Sequence, residues 1–346
     1  MIDLRSDTLT MPGAAMLETV LTAELGDDGR AGEDGRGEDR AANALEDHAA
    51  ALMGKEAAVL FPSGTMANTA ALLTWAGPGD AVLAEPLLHA VKAEKAAFSD
   101  RLGRLKAVAY RVTPQGKPDL DSARELLAQN TIKVLLLENT HNFRGGVCLD
   151  AGETDALCAA AHDRGVPVHL DGARIFNAAA RTGEPAARLC RGADSVMFCL
   201  SKGLGAPAGS LVAGDKAFIG ALRETRKLLG GTMRQAGVIA APGLYALRSN
   251  IENAARDNAN AALFAREAGE MARLRLCHEV QSNIVMLDTS GTGLTAEAFC
   301  DRAYAAGLWI RPVLQDRVRL VFWSGINAAQ ARRAAEIMAA LDRELA

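Results

Sequence analysis

A lysine placed directly after a buried strand can be held partly out of water as a nucleophilic amine, able to form a Schiff base with a carbonyl. The chain offers such a residue in Ser201-Lys202-Gly203, which follows the apolar run 195–200. A second constellation is Val166-Pro-Val-His-Leu-Asp-Gly-Ala-Arg174, where Asp171 stands just beyond a buried run. A carboxylate there is costly unless paired. A pyridinium nitrogen is one suitable cationic partner, and an ion pair with Arg174 is another. A third is Phe61-Pro-Ser-Gly-Thr65, directly before an apolar helical run. The backbone N–H groups of Ser63, Gly64 and Thr65 and the two hydroxyls can hold a phosphate at a helix start, although Ser-Gly-Thr also serves as a plain helix cap. Each signal is weak alone. Their order, phosphate cup, then aspartate, then lysine, is more informative.

Short apolar runs at 57–61, 81–84, 132–137, 166–170, 195–200 and 210–213 are bounded by Gly, Pro, Asp or Ser and read as strands buried on both faces. Helical patterns lie between them, such as 43–53 stopped by Gly54 and 66–75 stopped by Gly77. The alternation predicts an α/β domain with a mostly parallel sheet, whose strand ends are the places where ligands bind. From about Arg248 the texture changes. A long helical stretch, 251–274, precedes strand-like 284–287, a helix near 296–306, strand-like 309–312 and 318–322, and a final helix. The expected division is residues 1–246 as the large domain and 247–346 as a small α+β domain. The acidic, glycine-rich loop 26–40 does not fit a calcium loop, because one starting at Asp34 would place Arg36 and Asp39 at its third and sixth positions.

The 346 residues carry a net charge of −4 with scattered basic residues, which argues against nucleic acid as a partner. No apolar run approaches the length of a membrane span, and the N-terminus turns polar within its first few residues, unlike a signal peptide. A soluble, cytoplasmic protein is the expectation. The six cysteines show no metal-ligand spacing, so reduced buried thiols and no metal are expected. No Gly-x-Gly-x-x-Gly follows the early strand, which excludes a nicotinamide enzyme. His169, two residues before Asp171, is read as core, and His48, His162 and His278 as solvated or capping.

In its combined motifs the sequence resembles the threonine aldolases, pyridoxal-phosphate (PLP) enzymes of the aspartate-aminotransferase-like fold type I. The matching stretches begin at Ile2-Asp-Leu-Arg-Ser-Asp-Thr8, Phe61-Pro-Ser-Gly-Thr-Met-Ala-Asn68 and Glu138-Asn-Thr-His-Asn-Phe-Arg-Gly-Gly146. They continue through His169-Leu-Asp-Gly-Ala-Arg-Ile-Phe-Asn177, Cys199-Leu-Ser-Lys-Gly-Leu-Gly205, Gly230-Gly-Thr-Met-Arg-Gln235 and Val318-Arg-Leu-Val321. The resemblance implies that PLP is held by Ser63, Gly64 and Thr65 at its phosphate, by Asp171 at its ring nitrogen and by Lys202 as a Schiff base. It implies that His89 stacks on the ring and that His141 faces the substrate hydroxyl. Ser6, Arg174 and Arg319 are implied to clamp the substrate carboxylate, with Ser6 alternatively capping a turn. Lys227 and Arg234 are implied to reach the phosphate of a neighbouring subunit, hence a homodimer or homotetramer. The implied reaction cleaves a β-hydroxy-α-amino acid to glycine and an aldehyde. Related PLP lyase, racemase or transaldolase reactions are the alternatives.

The sequence also departs from the family pattern. Arg36-Gly-Glu-Asp39 stands where Tyr-Gly-Glu-Asp is usual, Val91 replaces a tyrosine, Lys95-Ala96 replace a glycine pair, and Phe322-Trp323 replace Thr-His. These changes predict that threonine is a poor substrate and that larger or more polar β-substituents are preferred, through aromatic area near Arg319 or through Arg36.

Overall fold

The computed structural model describes residues 1–32 and 35–345. Its centre is a seven-stranded sheet built from β2 (Ala57–Phe61), β3 (Ala81–Leu83), β4 (Lys106–Val108), β5 (Ile132–Glu138), β6 (Val168–Asp171), β7 (Ser195–Cys199) and β8 (Ser210–Gly214). The order is β2-β8-β7-β6-β5-β3-β4. Neighbours from β7 through β4 run parallel, and β8 runs antiparallel to both β7 and β2. The α/β expectation is met. Asp171 is the last residue of β6 itself, and β6 starts after Pro167, which has no N–H to give the ladder.

Strand parity distributes the core. Val168 and Leu170 of β6, and Val196 and Phe198 of β7, pack into the apolar layer shared with Leu45, Met53 and Ala240. Met197 and Cys199 point to the opposite face, where Ala67, Ala70 and Ala71 of the helix Gly64–Trp75 pack with Phe218 and Leu222. His169 and Asp171 alternate with Val168 and Leu170, so both stand on the face covered by Gly64–Trp75. His169 is fully buried, as expected of a core residue, but it shares the aspartate's side of the sheet.

A second core gathers the C-terminal elements: β9 (Arg275–Leu276), β10 (Ile284–Asp288), β11 (Leu308–Trp309), β12 (Arg311–Leu314), β13 (Arg317–Val321) and the helices Asn253–Ala268, Ala296–Ala305 and Ala328–Glu344. The antiparallel order is β12-β13-β10-β9. Ile2 and Leu4 belong to this second core, because β1 (Ile2–Asp3) pairs in parallel with β11. The long helix is shorter than the sequence pattern suggested. It ends at Ala268, where Gly269 turns to φ 64. The run 309–312 is likewise split between two sheets.

One carboxylate joins Gly26 and Gly237 to the start of the helix Arg40–Met53. Asp39 caps the helix Arg40–Met53 by accepting from Ala42 N (2.9 Å), and its other oxygen accepts from Gly26 N (3.0 Å) and Gly237 N (2.8 Å). Side chains at Gly26 and Gly237 would collide with this arrangement, Gly26 against the Glu38 carbonyl at 2.6 Å. Asp39→Ala is expected to lower stability by about 3 kcal/mol, from a lost cap of about 1 kcal/mol and buried N–H groups left unpaired. Urea unfolding of wild type and variant checks this.

Candidate active site

The parallel strands end on one side, and the chemistry-bearing residues collect there. After β2, Ser63 caps the helix Gly64–Trp75 by accepting from Met66 N (3.2 Å), leaving the first N–H groups of a twelve-residue helix at the strand end. At Gly64 a Cβ would lie 3.0 Å from Cys199 Sγ and 3.4 Å from the unpartnered Ser210 Oγ, so a side chain there would press on both. Asp171, 2 % exposed, accepts from Ala173 N (3.0 Å) at Oδ1 and from Asn68 Nδ2 (2.8 Å) at Oδ2. Lys202, half-buried after β7, lines a small cavity with Ala173, Arg174, Asn177 and Cys199, and its charge reaches Asp7.

Arg174 does not pair with Asp171. Its Nε and NH2 donate to the two oxygens of Asp7 at 2.6 and 2.7 Å, with both side chains buried. Burial would raise the Asp7 carboxyl, but the Arg174 charge and hydrogen bonds outweigh it and hold Asp7 at about 2. Arg319 on β13 is different. Its NH1 donates to Asn142 Oδ1 (2.6 Å), its Nε has no partner, and no carboxylate forms an ion pair with it among the described residues. Burial, with the neighbouring Arg174 charge, lowers Arg319 to about 10, which leaves it cationic at neutral pH. Ser6 accepts from Thr8 N (3.2 Å) as the cap of a short turn, and it lines an open pocket with Arg5, Trp309 and Arg311.

The two histidines implied by the resemblance stand among acids. His89 Nδ1 lies 2.9 Å from Glu94 Oε1, and its ring lies near-parallel to Phe143 at 6.1 Å. Its backbone N–H donates to Glu138 Oε2 (2.5 Å). Burial raises both Glu94 and Glu138, and the charge of Asp171 adds to each. His141 is buried. Its Nε2 meets Glu85 Oε2 at 3.1 Å, while its Nδ1 is buried without a hydrogen bond. Glu85 also accepts from Leu87 N (2.7 Å) and Arg144 NH2 (2.6 Å). Asp7, Asn68, Glu85, Glu94, Glu138 and Asn142 were not singled out as site residues on sequence grounds. All but Glu85 and Glu94 sit inside the quoted motifs, and those two flank His89 closely in sequence.

Lys227 and Arg234 lie exposed, away from this cluster, and Arg234 pairs with Asp27 (2.5 Å). The residues offered as specificity determinants are occupied elsewhere. Arg36 NH1 pairs with Asp47 at 2.6 Å, Phe322 is fully buried in the second core, and Trp323 Nε1 donates to Asp3 O (2.9 Å). Phe322, with no exposed surface, contributes no area to a substrate, whereas Trp323 is only half-buried. Asp34 lies outside the described residues. His162 meets Asp194 at 2.8 Å near the surface. The six cysteines are free thiols, five of them buried.

Sheet order, strand-end lysine and aspartate, and a helix N-terminus together define a PLP fold type I architecture. Residues 3–291 match the β-eliminating lyase family. The chain is 36% identical over 338 residues to low-specificity L-threonine aldolase 1 of Arabidopsis thaliana, covering 95% of this chain and 92% of that protein. It is 40% identical over 277 residues to the low specificity L-threonine aldolase of Escherichia coli K12, covering 78% and 80%. The threonine aldolase of Leishmania major superposes with a TM-score of 0.80 at 19% identity, covering 100% of both chains. The chain belongs to the β-eliminating lyase family, within the threonine aldolase group.

The Asp7–Arg174 pair has a pH signature. Because the folded-state value of Asp7 is depressed from 3.8 to about 2, its contribution is complete above the unfolded value and is lost as pH falls through the folded one. It amounts to about 2 kcal/mol. Asp7→Asn is expected to flatten the stability profile between pH 4 and 2 and to cost about 3–5 kcal/mol at neutral pH, where it strands a buried cation. Chemical denaturation across that range measures both.

Proposed function

We propose that this protein is a PLP-dependent aldehyde-lyase that cleaves a β-hydroxy-α-amino acid of the threonine class into glycine and an aldehyde. The observation that carries the reading is Arg319, a buried guanidinium with an unpartnered Nε and no carboxylate of its own. A substrate carboxylate is the complement that such a fork lacks. Arg174, already bridged to Asp7, backs it with fixed charge.

The residues fit the cofactor. The N-terminus of Gly64–Trp75 with Ser63 and Thr65 would hold its phosphate, Asp171 its ring nitrogen and Lys202 its carbonyl carbon. His89 has a half-exposed ring suited to stacking. When bound, PLP supplies an electron sink for breaking the Cα–Cβ bond. Asp171 would face the ring nitrogen as a fixed negative charge, Lys202 would hold the carbonyl end of the cofactor, and Arg319 would orient the substrate carboxylate. His141, or a water it holds, takes the β-hydroxyl proton. Glu85, an acceptor from three donors, makes Nε2 the protonated nitrogen of His141 and leaves Nδ1 as the basic one.

Oligomerisation belongs to the same reading. Exposed Leu228 and Val238 lie close in sequence to Lys227 and Arg234, and exposed Leu25 packs against Gly237, giving apolar surface near both basic residues. A second copy covering that surface brings the two basic residues to a neighbouring phosphate. The division into a large and a small lobe near residue 246 is also part of this proposal, with residues 2–4 packed in the small lobe.

Purified protein incubated with threonine, allo-threonine, phenylserine and 3-hydroxyaspartate is expected to release glycine and aldehyde in equal amounts, and release of neither sinks the assignment. Arg319→Ala is expected to lower kcat/KM by about 2–4 kcal/mol, with little recovery in Arg319→Lys, which lacks the fork. Borohydride reduction followed by peptide mass spectrometry should place the cofactor on Lys202.

A further inference from the structure

Behind Asp171 runs a line of buried polar side chains that the proposed reaction does not use. Asn68 and Trp75, two helical turns apart, occupy one face of Gly64–Trp75. They meet His169 and Asp171, alternate residues of β6, and Ser195, the cross-strand partner of His169 on β7. The contacts are Trp75 Nε1 to Ser195 Oγ (2.9 Å), Ser195 Oγ to His169 Nδ1 (2.9 Å), His169 Nε2 to Asn68 Oδ1 (3.2 Å) and Asn68 Nδ2 to Asp171 Oδ2 (2.8 Å).

Only one assignment of protons satisfies every member. Asn68 Nδ2 gives its hydrogens to the Asp171 and Glu94 carboxylates, so its Oδ1 must accept at His169 Nε2, and the Ser195 hydroxyl, which accepts from Trp75 Nε1, donates to Nδ1. His169 therefore carries its proton on Nε2 and donates to Asn68 Oδ1. The second Asn68 N–H goes to Glu94 (3.2 Å). A flipped amide would set Asn68 Oδ1 against the carboxylates of Asp171 and Glu94 and set two donors against each other at His169. His169 is fully enclosed, and burial lowers it to about 4, so it stays neutral at pH 7.

We propose that Asn68 and His169 are positioning residues of a hydrogen-bond chain, closed at its far end by Ser195 and Trp75, that orients the Asp171 carboxylate toward the ring nitrogen of the cofactor. The second half of that statement rests on the PLP reading. The chain itself does not. Its effect is to commit Asp171 Oδ2 to Asn68 and to hold the carboxylate plane, while Glu94 from the segment 90–94 and Glu138 from β5 supply the other charged groups around it. A carboxylate held this way keeps a partner's proton without having to reorganise.

Two measurements test it. In the cofactor-free protein, 15N NMR of labelled histidine should show His169 neutral with its proton on Nε2, and Ser195→Ala should shift the Nδ1 resonance as that nitrogen loses its donor. An Nδ1-protonated His169, or a Ser195→Ala spectrum unchanged from wild type, overturns the proposal whatever the protein binds. In protein loaded with ring-15N PLP, the ring nitrogen should be protonated in wild type. In His169→Leu its resonance should move toward the unprotonated position, with cofactor affinity about ten-fold weaker, the scale of one lost buried hydrogen bond. His169→Gln, whose amide can still donate to Asn68, should recover both readouts. Equal behaviour of the Leu and Gln variants, or a wild-type resonance in His169→Leu, overturns the positioning role. If His169→Leu does not fold, the Nε2 proton of wild type and the Ser195→Ala shift at Nδ1 decide alone. Wild-type protein that takes up no PLP refutes the proposed function and leaves the histidine result standing.

Discussion

The site depends on a carboxylate buried at the end of a central strand without a cation of its own. Asp171 is enclosed between the sheet and the helix Gly64–Trp75, yet the nearest arginine in sequence, Arg174, is bridged to Asp7. Two hydrogen bonds, from Asn68 and Ala173, offset part of the desolvation. A carboxylate accepts about four. The helix that delivers Asn68 is the same one whose N-terminus lies at the proposed phosphate cup, so one element ties both ends of the cofactor site together.

Charge is sorted around that carboxylate. Asp171, Glu94 and Glu138 stand close enough that Asp171 adds to the raised values of both glutamates. Across the site, Arg174 and Arg319 are close enough to lower Arg319, and Lys202 contributes to the field at Asp7. Asp7 neutralises Arg174, which leaves Arg319 and Lys202 as net positive charge. An acidic end and a basic end suit a ligand that is cationic at one edge, as a pyridinium is, and anionic at the other, as an amino acid is. A purely structural ion-pair network would have closed these charges on each other.

The sheet was readable in the sequence because strands covered on both faces become continuous apolar runs. All six runs named from the sequence overlap strands of the large sheet, and their ends carry Ser63, Asp171 and Lys202. What escaped is what depends on distance in sequence. Asn68 meets Asp171 across 103 residues, and Arg174 meets Asp7 across 167. No local pattern signals such pairs. His169 illustrates a subtler loss. Its type and burial were expected, but period-two alternation sets it on the same face as Asp171, where it meets Asn68 instead of apolar neighbours. Strand β4, short and mostly exposed at the sheet edge, carries too little apolar signal to be seen.

The departures from the family pattern are absorbed by the fold. Lys95 takes up a left-handed φ of 61 where glycine is usual, a strain of about 1–2 kcal/mol. Phe322 packs against Phe264 at 5.6 Å in the second core. Trp323 reaches back to the carbonyl of Asp3, while Val321 N donates to Leu4 O (2.8 Å) and β1 pairs with β11. These contacts fix the segment that carries Asp7, and Asp7 in turn fixes Arg174. The aromatic pair therefore bears on the site through the backbone it anchors: it holds the N-terminal strand against the small sheet, so that the Asp7–Arg174 bridge and the adjacent Arg319 keep one geometry. A polar pair at 322–323 would leave the core position of Phe322 unfilled, and its effect would be felt first in the placement of the N-terminal segment.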